Sequence, residues 1–400
     1  SEKDIFLLTE FDPVKKEPAL RKRHTQVRSE ELFAEAVAPD CVRLKGKFPI
    51  PFTPGNVLII IHEKRHVPSI VVSQSQSITV EDVSIHQSGA MGLIAQLSRD
   101  ITVRRMQVRL REGSDRLVSV NADATHFVNC TGWIRMEDCV FDNMMDDGTN
   151  VHGIYTVVTG IPTEHQVEVC FMHHQQEGIS LYAAGDRLRF VDRTTLLSRA
   201  TATISQVETV DQRCTRLTFE ELVEDIVKEG DAVECFEKMP DITIQRCRTG
   251  NNRPRGFLLT TPGHVLVEDC EFHNSHHGIH ISGDANYWYE SGPVRDVTIR
   301  RCHFRDCGYG FGGTPICIQP GIRRPEDNPE CYHRNIRIEE NVFDCFAPGL
   351  VTATSVDGLQ FKRNRWSRTD HYPAGEENRP DVACFACKNV EKDVSDEPVA

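Results

Sequence analysis

The sequence predicts an all-β protein: a right-handed parallel β-helix with a small antiparallel, barrel-like β-domain inserted into it. Three observations favour this fold. A short phrase of alternating apolar and polar residues recurs along the chain, its base period is 23 residues, and it disappears over residues 155–238 before it resumes. Such a repeat is typical of a solenoid whose coils stack on one another while extra residues bulge out at the turns.

The recurring phrase is an apolar-polar-apolar triplet, two polar or small residues, a small residue and a terminal apolar one. It occurs as ITVEDVSI (78–85), ITVRRMQV (101–108), WIRMEDCVF (133–141), ITIQRCRT (242–249), VLVEDCEF (265–272), VTIRRCHF (297–304), IRIEENVF (336–343) and LQFKRNRW (359–366). The first residues of neighbouring phrases are 23 positions apart three times (101 − 78, 265 − 242 and 359 − 336). Alternation with period two excludes a helical solenoid, whose repeats need apolar residues every three to four positions.

One position of the phrase holds small residues that fit an inward turn. It is occupied by Cys139, Cys247, Cys270 and Cys302, and in later coils by Asn341 and Asn364. We interpret this series as a turn ladder of stacked amides and inert, buried thiols, which explains most of the 15 cysteines without disulfides or metal. Cys384 and Cys387 form a lone CxxC in a predicted strand, and a single pair of this kind does not indicate zinc.

The domain organisation follows from where the phrase is present. We predict an N-terminal cap or connecting segment over 1–50, a first β-helix part over 51–154, the inserted domain over 155–238, a second β-helix part over 239–390 and a flexible tail over 391–400. The inserted domain is predicted from alternating segments such as GDRLRFVD (185–192), and EELFAEAV (30–37) in the cap has a helical pattern.

The net charge and the hydropathy of the chain indicate which classes of binding partner it can have. Lys and Arg number 46 and Asp and Glu 59, which gives a net charge of −13 and argues against nucleic acid or an anionic membrane as the main partner. No stretch approaches the run of about 18 apolar residues that spans a bilayer. Residue 1 is Ser rather than Met, so the N-terminus says little about the compartment, and the location that we expect is secreted or periplasmic. A homodimer is left open.

Three acids are predicted to meet on the surface of the solenoid. Asp123 lies 23 residues before Asp146 and 24 before Asp147, so one coil separates them. Because stacked strands lie about 4.8 Å apart, their carboxyl groups should converge. Like charges that close cannot all ionise easily, so at least one pKa should be raised, as a glycosidase needs for its general acid.

Two simpler interpretations of the acids stay open. Asp-Asp-Gly is a common turn sequence, and clustered aspartates on a β-helix can hold calcium. The polar neighbours His126, Asn150 and His152 favour a ligand site, because such side chains are costly to cluster unless they bind something.

A second polar group follows the insertion. It comprises Arg253, Arg255, His277, Asp284, Trp288, Tyr289 and Glu290. Aromatic faces stack on sugars, and guanidinium and carboxylate groups hydrogen-bond their hydroxyls. Trp288 and Tyr289 could equally cover a long turn.

Six strings, in order along the chain, resemble motifs of the α-1,3-galactosidases of glycoside hydrolase family 110. They are AMGLIAQLSRDIT (90–102), NADATHFVNCTG (121–132), MMDDGTNVHGIY (144–155), GDRLRFVD (185–192), NNRPRGFLLTTPG (251–263) and GDANYWYESGPVRDV (283–297). The resemblance implies a β-helix interrupted by a small β-barrel and a metal-independent, cofactor-free enzyme that removes terminal α-1,3-linked galactose with inversion. The expected substrate is an α-galactosyl oligosaccharide or glycoconjugate, either linear or like blood group B.

The resemblance also implies residue roles. Asp146 is expected as general acid, with Asp123 and Asp147 as the pair that activates water. The expected substrate-binding residues are Gln96, His126, Asn150, His152, Arg253, Arg255, His277, Asp284, Trp288 and Glu290. Stacked carboxyls about 5 Å apart would suit a retaining enzyme, whereas inversion needs roughly 6.5–9.5 Å, so acid and base would have to lie diagonally across the cluster.

Two other functions are compatible with the same pattern. A polygalacturonase-like pectin hydrolase also sets three aspartates on a β-helix, and it would need a basic subsite for uronates. A non-catalytic glycan-binding β-helix of the adhesin or tailspike kind would bind sugar without cleaving it.

Overall fold

The recurring phrases form strands that stack residue for residue. Ile101 pairs with Ile78 of the preceding coil and with Ile134 of the following one. The same register continues through Ile242, Val265, Val297, Ile336, Leu359 and Val390. The predicted parallel β-helix is therefore confirmed, together with the alignment of its repeats.

The computed structural model describes residues 5–22, 25–28, 31–48, 51–61, 65, 67–310, 312–373 and 380–393. One strand of each of three parallel sheets makes a coil. The first sheet contains β7 (Ile70–Ser73), β10 (Leu93–Gln96), β13 (Thr125–Val128), β16 (Thr149–Ile154), β25 (Phe257–Leu259), β28 (Ile279–Ile281), β32 (Ile316–Ile318), β35 (Val351–Thr354) and β38 (Val382–Phe385). A short strand, β29 (Glu290–Ser291), pairs antiparallel with the end of β16.

The other two sheets complete each coil. The second sheet contains β8 (Gln76–Glu81), β11 (Arg99–Arg104), β14 (Thr131–Glu137), β23 (Asp241–Gln245), β26 (His264–Glu268), β30 (Asp296–Arg300), β33 (His333–Glu339), β36 (Val356–Lys362) and β39 (Lys388–Lys392). The third sheet contains β9 (Ser84–Ile85), β12 (Gln107–Val108), β15 (Val140–Asp142), β24 (Arg248–Gly250), β27 (Glu271–His273), β31 (His303–Arg305), β34 (Val342–Cys345) and β37 (Arg365–Arg368). The tail was predicted to begin at residue 391, but residues 391 and 392 belong to β39. Residues 394–400 lie outside the described part of the chain.

The core lies between the three sheets and is filled by the inward residues of each phrase. Aromatic rings stack along the solenoid axis: Phe272 and Phe304 have ring centroids 4.7 Å apart, and Phe304 and Phe343 are 4.9 Å apart. All three side chains are buried. Because each ring touches the same ring one coil away, a substitution in this stack is felt in neighbouring coils.

The turn ladder is present as predicted. The Cys247 N–H donates to Cys270 Sγ at 3.4 Å, and the Cys302 N–H donates to Asn341 Oδ1 at 2.9 Å. Burial raises the pKa of the Cys270 thiol, which keeps it protonated and inert.

One disulfide was not predicted. Cys170 and Cys214 are joined between neighbouring strands of the inserted domain. Their pairing depends on the antiparallel register of an insertion that lacks the repeat, so the ladder argument did not reach it.

The N-terminal part forms sheets rather than a helix. Its strands are β1 (Ile5–Asp12), β2 (Glu17–Pro18), β3 (Thr25–Arg28), β4 (Phe33–Ala38), β5 (Cys41–Lys45) and β6 (Val57–Ile61). The helical interpretation of residues 30–37 is wrong for residues 33–37, since β4 pairs with β5 as a hairpin and its residues are exposed. A short helix with no surface to pack on is marginal, so pairing with a neighbouring segment is favoured. β6 pairs with β1, so the coils begin at Ile70 rather than at residue 51.

The inserted domain is a closed antiparallel barrel. Its strands are β17 (Thr156–Thr163), β18 (Gln166–Cys170), β19 (Arg187–Val191), β20 (Ser198–Thr209), β21 (Cys214–Phe219) and β22 (Ala232–Glu234). The first and last strands pair with each other, with Thr156 opposite Val233, so the chain leaves the coils and returns to them at one place. The predicted small antiparallel domain is confirmed. Short 3₁₀ helices lie at His174–Gln176 and Pro325–Asp327, and no helix of the described residues has the length and apolar character for crossing a bilayer.

Candidate active site

The three predicted acids converge at the turn that precedes the first sheet. The Ala124 N–H donates to the Asp147 carbonyl at 2.9 Å, and the Asp147 N–H donates to Asp123 Oδ1 at 3.0 Å. Oxygen atoms of Asp123, Asp146 and Asp147 lie within 4.8 Å of one another, and all three residues are buried. Coil stacking therefore produces the cluster that the sequence spacing predicted.

The same turn in the next coils adds basic residues. The Gly148 N–H donates to the Arg255 carbonyl at 3.1 Å, and the Gly256 N–H donates to the His277 carbonyl at 2.9 Å. Arg255 thus lies directly above Asp147 and donates from Nε to its Oδ1 at 2.8 Å. Equivalent positions of successive coils therefore hold Asp123, Asp147, Arg255 and His277.

Three arginines compensate the charge of the acids. Asp146 makes an ion pair with Arg65, and its Oδ1 lies 3.6 Å from Arg253 and 3.9 Å from Arg255. A calcium ion bound between the acids would meet these guanidinium groups at close range, so the donor set fits a divalent cation poorly.

The acids differ in protonation. Burial raises the pKa of Asp147 to about 8, with Asp146 and Asp123 acting in the same direction and Arg255 opposing them. Burial also acts to raise the pKa of Asp123, but the hydrogen bond and charge of His126 outweigh it and the pKa is lowered. Near neutral pH the cluster therefore holds a proton beside an ionised carboxylate, as acid–base catalysis requires.

The hydrogen bonds fix the protonation of two histidines. His152 Nδ1 lies 2.7 Å from the Gly153 carbonyl, an acceptor, so this nitrogen carries the proton, while burial lowers the pKa of His152 and keeps the ring neutral. Its bare Nε2 then accepts from His126 Nε2 at 2.9 Å, and His126 Nδ1 donates to Asp123 Oδ2 at 2.5 Å. His126 is thereby an imidazolium, in accord with the rise that Asp123 causes in its pKa against the effect of burial.

A fourth carboxylate, that of Glu290, lies beside Asn150 and His152. Asn150 Nδ2 donates to Glu290 Oε1 at 3.1 Å, and His152 Nε2 lies 3.7 Å from the same oxygen. Burial opposes ionisation of Glu290, but the imidazolium of His126, the charge of Arg255 and the hydrogen bond from Asn150 outweigh it, and its pKa is lowered. β29 holds Glu290 in place by pairing with the end of β16.

These groups line a pocket of about 100 Å³ on the outer face of the first sheet. The barrel supplies part of its rim through the segment around the 3₁₀ helix, where the rings of His173 and Trp288 lie 5.1 Å apart. Gln176 Nε2 donates to the Trp288 carbonyl at 3.1 Å, which ties the barrel to the loop that carries the tryptophan.

Most of the predicted binding residues reach this pocket. Those that line it are Gln96, His126, Asn150, His152, Arg255, Trp288 and Glu290. Three predicted residues do not line it. Arg253 lies behind Asp146, His277 bonds the Thr314 carbonyl at 2.8 Å one coil beyond Arg255, and Asp284 accepts from the backbone of the loop, including the Tyr287 N–H at 2.7 Å.

Sequence reasoning missed several residues of the pocket. Arg65 comes from the segment before the first coil, and His173, Gln175 and Gln176 come from the barrel. None of them belongs to the 23-residue repeat. Only the unusual clustering of His173 and His174 beside Gln175 and Gln176 in the sequence could have drawn attention to them.

Comparison with known proteins agrees with the architecture. The chain matches the family model described as GLAA-B beta-barrel domain II over residues 166–233 and the model of the right-handed β-helix region over residues 232–372. The first range covers the barrel from β18 onward, and the second covers most of the coils that follow it.

Curated relatives match over most of the chain. It is 34% identical to α-1,3-galactosidase A of Shewanella woodyi over 367 residues, which cover 92% of this chain and 60% of that protein. It is 36% identical to α-1,3-galactosidase B of Akkermansia muciniphila over 323 residues, which cover 80% of this chain and 41% of that protein. It is 31% identical to α-1,3-galactosidase B of Bacteroides thetaiotaomicron over 341 residues, which cover 84% of this chain and 55% of that protein. The chain thus spans 41–60% of the length of these relatives. From the repeat, the inserted barrel and these relatives together, the chain belongs to glycoside hydrolase family 110.

Proposed function

We propose that the protein is an exo-acting, inverting α-galactosidase that removes terminal α-1,3-linked galactose from oligosaccharides or glycoconjugates. One observation carries this proposal: the carboxyl groups of Asp123, Asp146 and Asp147 converge within 4.8 Å in one pocket, where burial raises the pKa of Asp147 while His126 lowers that of Asp123. Hydrolysis of a glycosidic bond needs that combination, and a small pocket suits a single terminal sugar. The names of the relatives support the α-1,3-galactosyl specificity.

In the proposed mechanism Asp146 protonates the leaving oxygen, while Asp123 and Asp147 hold the attacking water. Asp146 is the most exposed of the three, at 7% against 2% and 1%, so it is the best placed to meet a leaving group that extends out of the pocket. The proton belongs to the cluster as a whole, because carboxyl groups this close titrate together. Burial raises the pKa of Asp147, so the proton rests there in the free protein, and the proposed role of Asp146 requires that Asp147 supply that proton during the reaction.

Substitution with different leaving groups tests these roles. Asp146→Asn should abolish hydrolysis of a Galα1-3Gal disaccharide but retain activity on a dinitrophenyl α-galactoside, whose leaving group needs no proton. Asp123→Asn should lose both activities, and added azide should restore turnover of the aryl substrate. Asp138→Asn, an exposed aspartate paired with Arg246, is the matched control. Full activity of Asp123→Asn on the disaccharide would reject the site.

The stereochemistry needs a separate test, because carboxyl oxygens within 4.8 Å are closer than most inverting pairs. Proton NMR of the first product should show β-galactose, which then mutarotates. Release of α-galactose would establish retention and overturn the inverting part of the proposal while leaving the galactosidase part intact.

The pectin-hydrolase alternative has less support. A uronate would need a cation free to bind its carboxylate, whereas Arg65 and Arg255 are engaged by Asp146 and Asp147. Assays with polygalacturonate and with a linear or fucosylated α-1,3-galactosyl trisaccharide distinguish the two, and only the galactosides should be cleaved.

We further propose a secreted or periplasmic location. The disulfide between Cys170 and Cys214 supports it, because such bonds persist mainly in oxidising compartments. Cell fractionation of the native host, followed by thiol labelling of the protein before and after reduction, tests this. A cytosolic, fully reduced protein would contradict it.

A further inference from the structure

A second cleft, which we call the seam cleft, lies where the inserted barrel meets the first coils. Its volume is about 680 Å³, and it opens between the turns that join the first and second sheets and the barrel segment around residue 181. The polar side chains that matter here are Gln74, Gln76, Asn129, Thr131, Ser180 and Tyr182.

The seam cleft is distinct from the pocket although the two are neighbours. Consecutive residues face opposite ways: Gln96 lines the pocket and Leu97 the cleft, and Val128 lines the pocket and Asn129 the cleft. Between the two cavities, Val128 and Leu181 pack in a small apolar cluster that joins the barrel to the coils. A ligand in the seam cleft is therefore separated from the aspartates by a packed partition.

The seam cleft presents uncharged hydrogen-bonding groups that the fold does not use. Within the described part of the chain, the side chains of Gln74, Gln76, Thr131 and Ser180 make no hydrogen bond. Asn129 is only 4% exposed, and its Oδ1 has no partner. A buried amide oxygen without a partner is unfavourable, so its presence beside a cleft indicates a group that arrives from outside.

The charged residues of the seam cleft are already neutralised. Arg99 lies 3.2 Å from Asp100, and Lys238 lies 2.5 Å from Asp186. Glu237 lies 3.7 Å from Arg187. No cation is left to select an anion among these residues, so the cleft fits an uncharged ligand that is rich in hydroxyl groups.

Tyr182 gives the seam cleft a fixed aromatic residue. Its hydroxyl is 2.6 Å from Thr156 Oγ1, which anchors the ring at the base of the barrel. Amides, hydroxyls and an aromatic ring are the side chains that bind neutral sugars. We propose that the seam cleft is a non-catalytic binding site for a neutral oligosaccharide chain.

Calorimetry on the whole chain tests the proposal. The background is Asp123→Asn, so that no substrate is consumed, and the probe is a neutral poly-N-acetyllactosamine hexasaccharide that lacks an α-galactosyl end. We expect measurable binding, at least tenfold weaker binding after Asn129→Gly with Gln76→Ala, and no binding of anionic trigalacturonate. Glycine keeps the positive φ of 47° that Asn129 adopts, so this variant should fold.

Controls separate this site from the pocket. Trp288→Ala alters the pocket rim and should leave hexasaccharide binding unchanged, as should Gln206→Ala on an exposed barrel strand. Made in the chain that keeps Asp123, the cleft variants should hydrolyse a small aryl α-galactoside at the rate of the unaltered chain, which keeps a failure of the proposed activity distinct from a failure of the cleft. Thr131→Val is a second, conservative variant. Absence of hexasaccharide binding, or binding that Trp288→Ala abolishes and the cleft variants do not, overturns the proposal.

Discussion

The backbone N–H of Asp147 donates to Oδ1 of Asp123 at 3.0 Å, so two carboxyl groups from adjacent coils are tied through the main chain. This hydrogen bond restricts the distance between the two carboxyl groups, because the strands that follow are paired in register, with Thr125 opposite Thr149. The electrostatic conflict between the acids is thus built into the coil stack, and the raised pKa of Asp147 is its consequence.

We predict that activity falls as the pH rises through about 8. The pKa of Asp147 is raised to about 8, so the cluster keeps its proton at neutral pH and loses it only in alkaline solution. The logarithm of kcat/KM for a Galα1-3Gal substrate, measured from pH 5 to 10, should decline with a slope near −1 above that point. A profile that stays flat to pH 10 would show that no cluster proton is needed.

Replacement of His126 should affect the acidic side of the same profile. In His126→Gln the imidazolium that lowers the pKa of Asp123 is lost, so the acidic limb should move to higher pH and kcat/KM at pH 6 should fall about 10- to 100-fold. The measurement is the pH profile of the variant beside that of His264→Gln, which removes a histidine that contacts Asp296 at 2.9 Å on the surface. Equal profiles for the two variants would refute a role for His126.

Removal of Trp288 should weaken binding of the sugar next to galactose. The Trp288 and His173 rings form the rim of the pocket, and loss of one stacking platform costs about 1–2 kcal/mol. For Trp288→Ala we expect KM for an α-1,3-galactosyl trisaccharide to rise about 5- to 30-fold, with little change for an aryl galactoside. Tyr287→Ala, 65% exposed beside it, serves as the control, and an equal rise for both substrates would place the tryptophan at the galactose itself.

The aromatic stack should dominate the stability of the coils. Phe304→Ala leaves a cavity between Phe272 and Phe343, and such a change in a core costs about 3–5 kcal/mol. Urea denaturation followed by tryptophan fluorescence should show this loss. Phe33→Ala, at a phenylalanine that is 64% exposed, should change the free energy of unfolding by less than about 0.5 kcal/mol. Similar values for both variants would mean that the stack is not a cooperative core.

The sequence predicted what the repeat determines. A spacing of one coil places Ile101 against Ile78, 23 residues apart, and it places Asp123 against Asp147, 24 residues apart, for the same reason. The turn ladder through Cys302 and Asn341 follows from the same register. A stacked fold converts distance along the chain into distance in space, so these residues could be located without coordinates.

The parts that were missed lie outside the repeat. Arg65 reaches the acids from a segment that precedes the coils, and His173 reaches the pocket from the barrel. Their positions depend on how separate elements pack, which one period cannot encode. The hairpin of β4 and β5 was mistaken for a helix for a related reason, because its strand pairing lies between segments with no recognisable period.

The barrel begins and ends on paired strands, with Thr156 opposite Val233, between two coils that remain stacked across the insertion, since Ile134 pairs directly with Ile242. An exchangeable module at such a junction can be rebuilt or replaced while the acids beneath it keep their spacing. Changes in the length or side chains of the barrel therefore reach the rim of the pocket, where His173 lies, without moving the carboxyl groups on the coils.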